Sequence, residues 1–304
     1  MVWSYRFEHQ RLFMAVNTIH TRKPIFQSWA AWFGLLPFFF FGFAFEIIPV
    51  IRLIRSSLTD VDGGLTLVNY ARVMTPLVTQ SFQNSFKLSA LTALSGTILG
   101  TLVAYAIINT RNKVVSESVT ALADVTTNFG GAPLAFAFII TLGSTGIITL
   151  IIKKFFGISL YPNFRIYSIF GLGIAYLYFQ IPLMVLIMIP SILGLKREWR
   201  EAASNLGASS FQFWRRIGLP ILAPSLIGGF ILLFANSFGA YATAWTLTGP
   251  EISLVPIQIA ALIRGEVQLD PGAADALASL SLLVMAACVV GYQIAIRRAR
   301  RFQR

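Results

Sequence analysis

Glu198-Trp-Arg-Glu-Ala-Ala-Ser-Asn-Leu-Gly-Ala-Ser-Ser-Phe-Gln-Phe-Trp-Arg-Arg-Ile-Gly-Leu-Pro220 is a polar run set between two long apolar segments. Its spacing predicts a short helix over 196–206, with two alanines on one face. Gly207 follows where a helix ends in a left-handed cap, a conformation that glycine takes without strain. Ser209, with Gln212 three residues on, opens a second helix as a capping box. Pro220 is expected to stop this element and hand the chain to the next apolar segment. Phe211, Phe213, Trp214 and Ile217 supply an apolar side. The alternative is a solvated loop with incidental helices, but caps, turn residue and apolar side all point to a helix–turn–helix held against a larger apolar body.

Composition says what that body is. Of 304 residues, 56% are hydrophobic and only 12% charged, about half the charged share of an ordinary soluble domain. Apolar runs of bilayer-spanning length recur, which makes the chain an all-α integral membrane protein. The net charge of +12 would suggest nucleic acid for a soluble protein. Here the cations gather in loops and tails, where they set topology and meet anionic headgroups, so nucleic acid is excluded as a partner and the lipid bilayer is the expected one. The single cysteine, Cys288, permits neither an internal disulfide nor a cysteine-based metal site.

Six spans are expected, near 30–51, 84–109, 119–142, 166–189, 221–247 and 275–296. Residues 1–28 form a basic tail, read as a partly amphipathic segment on the membrane surface rather than a signal peptide. Residues 29–83 hold the first span and an external loop with turn signals at Asp62-Gly63-Gly64 and Thr75-Pro76. Residues 84–296 form a core of five spans, with the polar loop at 194–220, and 297–304 a second basic tail. Gly96 and Gly100 form a small-xxx-small pattern suited to close helix packing. The third span is interrupted at Asn128-Phe-Gly-Gly-Ala-Pro133, a break tolerated where backbone faces protein or a wet cavity. Residues 147–152 are too short to span and read as a surface helix. Pro182 and Pro190 read as kink and stop of the fourth span. The second half of the fifth span turns polar from Asn236 to Thr248. Glu46 is a functional candidate as a carboxylate in a span, or a group near the span's end beside Arg52.

With six spans both termini share a side. That side holds four Lys/Arg in the first tail, two between the second and third spans, five in the polar loop and five in the last tail, sixteen of the 24 in all. The bias places both ends and the polar loop of a multi-pass membrane protein in the cytoplasm.

Enzyme chemistry is missing from the sequence. There is no G-x-x-x-x-G-K-[ST] phosphate loop, so the chain itself should bind no ATP. The two histidines, His9 and His20, lie in the tail, with no H-E-x-x-H and no G-x-S-x-G. Polar residues in spans tend to face cavities; Asn128, Asn236, Ser237, Tyr241, Thr243 and Thr246 are therefore candidates for lining a translocation path. The same side chains also serve as interhelical hydrogen-bonding groups, and the sequence leaves both readings open.

Glu201-Ala202-Ala203, then Gly207, then Ile217-x-Leu219-Pro220 after the fourth of six spans resembles the EAA loop of binding-protein-dependent ABC transporter permeases. The resemblance extends from about residue 84 to the end, through Tyr178-Phe-Gln-Ile-Pro182 and Ser237-Phe-Gly-Ala-Tyr241, and is similar to the branch handling polyamines, phosphonates and ferric iron. It implies a type I importer permease fold with a cytoplasmic coupling helix, and no catalytic residue, metal or cofactor in this chain. Glu201, Ala202, Ala203, Gly207, Ile217, Leu219 and Pro220 would meet a cytoplasmic ABC ATPase dimer carrying ATP and Mg. A second permease subunit and an extracytoplasmic solute-binding protein would complete the assembly. Alternatives are an ion-gradient-driven secondary transporter or channel, which would need more buried ionisable groups than Glu46 and Asp124, and an intramembrane enzyme.

Overall fold

The computed structural model describes residues 25–60, 62–110, 112–265 and 269–301. The surface segment expected within 1–24, Arg111 and the last residues of the basic C-terminal tail lie outside them.

The chain divides into two compact units, Met1–Arg52 and Leu53–Arg304. In the first, α1 (Ile25–Gly42) runs into a π-helical turn, Phe43–Ile47, that carries Glu46, and then into α2 (Ile48–Ser57). The expected end near residue 51 is passed despite Pro49. A proline clashes with the carbonyl four residues before it and offers no N–H. The wider π turn displaces that carbonyl, so the helix continues.

The second unit opens with the last residues of α2, from Leu53, and continues to α3 (Val68–Val73), a short helix tied at both flanks. Asn69 Nδ2 donates to the carbonyls of Ser57 (3.2 Å) and Thr59 (3.0 Å). Tyr70 Oη lies 2.9 Å from Ser57 Oγ and 2.8 Å from Ser279 Oγ. Next, α4 (Pro76–Asn109) begins eight residues ahead of the expected 84. Thr75 and Pro76, read as a loop turn, are its N-cap and first residue: the Thr75 hydroxyl accepts from Val78 N–H at 3.2 Å, and proline at this position loses no helical hydrogen bond.

The third expected span, 119–142, is two helices. Asn112 caps α5 (Lys113–Asn128) through the amides of Val114 and Val115. After the expected break, with Gly131 at φ +72°, α6 (Gly131–Leu142) and α7 (Ile147–Phe156) follow. The span-length apolar window is Gly131–Phe156. It includes the segment expected as a surface helix, because α5 carries Lys113, Glu117 and Asp124 and is amphipathic rather than apolar throughout. Helix α8 (Ile169–Leu193), capped by Ser168, runs through Pro182 and past Pro190, so Pro190 is no stop.

The last correction concerns Pro220. Helix α9 (Arg197–Asn205) and α10 (Ser210–Phe213) make up the polar loop. From α10 the chain passes through a second π turn, Trp214–Gly218, straight into α11 (Leu219–Phe238). Pro220 is the second residue of α11 and interrupts nothing, for the same reason as Pro49. The fifth span is therefore Ser210–Phe238, and the polar half expected to continue it is a separate helix, α12 (Ala242–Thr248). It is followed by α13 (Val255–Arg264) and α14 (Pro271–Arg301), the latter capped by Asp270 Oδ1 on Ala273 N–H at 3.0 Å. Six helical segments among the described residues are long and apolar enough to cross a membrane.

The core lies along α4 and α8. A cluster around Met184, Leu233, Phe234, Phe238 and Leu277 joins α4, α8, α11 and α14. Another, around Leu88, Leu134, Tyr176, Leu247 and Ile257, joins α4 and α8 to α6, α12 and α13. The two long helices meet at glycine: a Cβ at Gly100 would lie 2.5 Å from Met184 Cβ and 2.8 Å from the Ile181 carbonyl, and one at Gly96 3.1 Å from Gln180 Oε1 and 2.8 Å from Leu233 Cδ2 of α11. The small-xxx-small pattern thus serves as packing.

Candidate functional site: the 197–220 loop and the polar seam

Helix α9 ends as its sequence dictates. Gly207 takes φ +75°. Its N–H donates to the Ser204 carbonyl, and Ala208 N–H donates to the Ala203 carbonyl, both at 2.9 Å. This pair is the Schellman arrangement, which satisfies two otherwise orphaned carbonyls. Nothing lies within 4 Å of a Cβ placed on Gly207, so the demand for glycine is conformational, not steric. Two residues on, the capping box is complete: Ser209 N–H donates to Gln212 Oε1 at 2.8 Å, and Gln212 N–H to Ser209 Oγ at 3.3 Å.

The loop is pinned to the body by Phe213, which is buried, and by Trp214, whose ring meets Tyr105 of α4 edge-on at 5.3 Å. Trp214 also covers Gly218, where a Cβ would sit 2.5 Å from its ring. Ala203 is the buried member of the Glu-Ala-Ala triplet. Phe211, expected on the apolar side, is instead 72% exposed, and Leu206 is 88% exposed. An open groove of about 750 Å³ is lined by Ala202, Ala203, Gly207 and Ile217 together with Trp199 and Leu206. Glu201 borders a different cavity and pairs with Arg197 of its own helix at 3.0 Å, both side chains largely exposed. Such an exposed i,i+4 pair holds its partners weakly. Leu219 and Pro220 are exposed at the start of α11.

The six polar positions proposed from the spans do not form one cluster. Ser237 is buried beside Thr92, Oγ to Oγ1 at 3.1 Å. Thr92 donates to its own helix at Leu88 O, 2.8 Å, so its single proton is used and Ser237 is the donor between them. Gln180, fully buried on α8, donates to the same Thr92 oxygen at 3.2 Å. Three helices are thus cross-braced through one hydroxyl. Gln180 is the residue the sequence reading passed over. Its signal was available: an amide in the middle of a 25-residue apolar helix has to find partners inside the protein. Its Oε1 has none among the described residues.

Thr243 donates to the Gly131 carbonyl at 3.2 Å, across the break of the third span. Tyr176 donates to the Ala240 carbonyl at 2.9 Å, across the break of the fifth. Asn128 is exposed and bonds back to Asp124 O of its own helix. Asn236 is exposed and Thr246 half-buried. Tyr241 stacks on Trp245, and the Arg264 guanidinium lies over both rings at 5.5 and 5.6 Å.

Among the described residues, six apolar helical segments of spanning length with a capped helical pair after the fourth make up a multi-pass helical membrane protein. Residues 96–301 match the family model for the binding-protein-dependent transport system inner membrane component, and the chain belongs to that family. It is 24% identical over 266 residues to the spermidine/putrescine transport system permease protein PotC of Escherichia coli (strain K12), covering 84% of this chain and 90% of that one. It is 27% identical over 176 residues to the probable sulfate transport system permease protein cysT of Prototheca wickerhamii, covering 57% and 65%. Among solved structures it resembles the bacterial alginate ABC transporter in complex with alginate pentasaccharide-bound periplasmic protein, at TM-score 0.66 and 17% identity over 92% of this chain and 97% of that one. The fold is that of the type I ABC importer permeases, and the protein is a multi-pass inner membrane permease.

Proposed function

We propose that this chain is the translocation subunit of an ATP-driven importer fed by an extracytoplasmic solute-binding protein. The loop at 197–213 lies in the cytoplasm with both termini and docks on a separate ATPase dimer, which carries the ATP and Mg. A second permease subunit, identical or homologous, completes the pathway. The observation that carries this reading is mechanical. The second loop helix and the fifth span form one uninterrupted helical segment, Ser210–Phe238, and α9 is fixed to it by a two-residue Schellman turn and a capping box. A push on the loop therefore moves a membrane span instead of being absorbed in slack chain. Closure of the ATPase dimer tilts the spans toward an outward-open state and hydrolysis resets them, a two-state cycle in which each partner binds one state better.

In this proposal Glu201, Ala202, Ala203, Gly207 and Ile217 make the ATPase contact, with Leu219 and Pro220 at the hand-over to the span. The exposed Arg197–Glu201 pair opens at little cost, which frees Glu201 for a basic residue of the ATPase. Asn236, Tyr241 and Thr246 remain candidates for the path, whereas the bonds of Ser237 and Thr243 support a bracing role for those two. The cargo is a small polar or charged solute of polyamine, phosphonate or ferric-iron type, moved into the cytoplasm; relatives named for spermidine/putrescine and for sulfate support a charged one.

The test is uptake by vesicles holding the complete assembly. Glu201→Lys or Gly207→Val abolishes nucleotide-dependent uptake or ATPase co-purification while membrane insertion stays normal. Unchanged uptake in both, or uptake by this polypeptide alone, overturns the proposal.

A further inference from the structure

On the other flank of the loop from the Ala202–Gly207 groove lies a cavity of about 640 Å³. Its wall carries three cations, Lys196, Arg197 and Arg200, against one carboxylate, Glu201, which already holds Arg197. Lys196 and Arg200 are exposed, and neither forms an ion pair among the described residues. The floor is apolar: Tyr105 and Ile108 come from the last turns of α4, and Phe213 and Trp214 from the loop. Both α4 and α8 end here, at Asn109 and Leu193, and both are membrane-spanning in length and composition. The cavity therefore sits at the level where hydrocarbon gives way to headgroups, with its cations beyond the ends of the spans and its floor continuous with them.

We propose that this cavity is a binding site for an anionic phospholipid, with the headgroup phosphate between Lys196 and Arg200 and an acyl chain along Tyr105 and Ile108. A basic pocket at the ends of membrane helices attracts anionic headgroups, each cation contributing through the surface field. Guanidinium and ammonium groups both bind phosphate well. An edge-to-face Tyr105–Trp214 pair at this depth suits the interface, where amphipathic rings prefer to lie. A soluble anion would use the cations and leave the apolar floor in water, and an acidic protein surface would have no use for a floor that leads into the bilayer; both count in favour of a lipid. The site goes beyond the proposed transport role and does not depend on it.

The experiment uses the full chain in vesicles containing a photoreactive phosphatidylglycerol, with peptide mapping of the adducts. Labelling is expected on peptides containing Tyr105–Asn109 and Lys196–Ser204, competed by unlabelled phosphatidylglycerol but not by phosphatidylethanolamine. The double variant Lys196→Gln/Arg200→Gln should weaken apparent affinity about thirtyfold, from the two lost cations. Arg215→Gln/Arg216→Gln removes the same charge elsewhere on the loop and should leave the labelling unchanged. Equal labelling by a phosphatidylethanolamine probe, or equal loss in both double variants, overturns the proposal. Displacement by inorganic phosphate would make this a soluble-anion site, and displacement by an added ATPase subunit would make it a protein contact; either result also overturns it.

Discussion

The 197–213 loop and the Thr92–Gln180–Ser237 seam are both polar, yet they satisfy their polar groups in opposite ways. In the loop the bonds are local: Gly207 to Ser204, Ala208 to Ala203, Ser209 to Gln212. In the seam they are remote, joining residues 88 and 145 positions apart. Local bonds fix a shape that survives while the whole loop moves. Remote bonds fix the mutual placement of helices, and any motion of one helix against another has to break them. One region holds its own shape, and the other holds helices against one another.

Changes at particular residues break or sharpen this contrast. The largest effect is expected at Gly100, where the helices of the seam touch. Gly100→Leu forces α4 off α8 and should cost about 3 kcal/mol, the upper end of the usual overpacking range, read as lowered thermal stability of the purified chain. Gly207→Val should cost about 2 kcal/mol of local stability, since a left-handed backbone penalises any Cβ. Gly207→Asn should recover part of it, because Asn tolerates that conformation; equal damage from both would mean that contact, not backbone, is what matters there. Ser209→Ala, losing the cap, should cost about 1 kcal/mol, visible as faster amide exchange at Gln212 with the spans unaffected. The smallest effect is in the seam's hydrogen bonds: a double-mutant cycle of Gln180→Leu with Thr92→Val should give a coupling of about 0.6 kcal/mol, the average for interhelical bonds in a membrane. A coupling several times larger would show that the seam, rather than the glycine contact, holds the helices in place.

The same contrast explains what could be read from the chain alone. Each loop signal lies within a few residues of its partner, so the glycine cap and the capping box were legible in full. The spans were legible as apolar lengths, and the family resemblance followed from the loop's spacing. Boundaries were not legible where proline was read as a turn or a stop. Pro76, read as a turn, starts a helix; of Pro190 and Pro220, read as stops, the first sits within a helix and the second follows a π turn. The extended third span was missed because a charged amphipathic helix and an apolar one abut, and window averages blur the join. Phe211 was misplaced because a residue's position on a short helix does not say where the body lies. Bonds such as Tyr70 to Ser279 or Gln180 to Thr92 depend on which helices become neighbours, and no local pattern encodes that.

The π turn at Trp214–Gly218 has a consequence for how tightly this loop can vary. A π turn holds one residue more than the α-helix it interrupts, and each residue of a helix advances about 100° around its axis. Deleting a single residue there would restore regular winding and leave Phe213 on nearly its present face, whereas deleting one within regular helix below would swing that face by about this angle. The π turn at Trp214–Gly218 is thus a place where the chain can lose a residue without turning the capped loop away from the body it packs on.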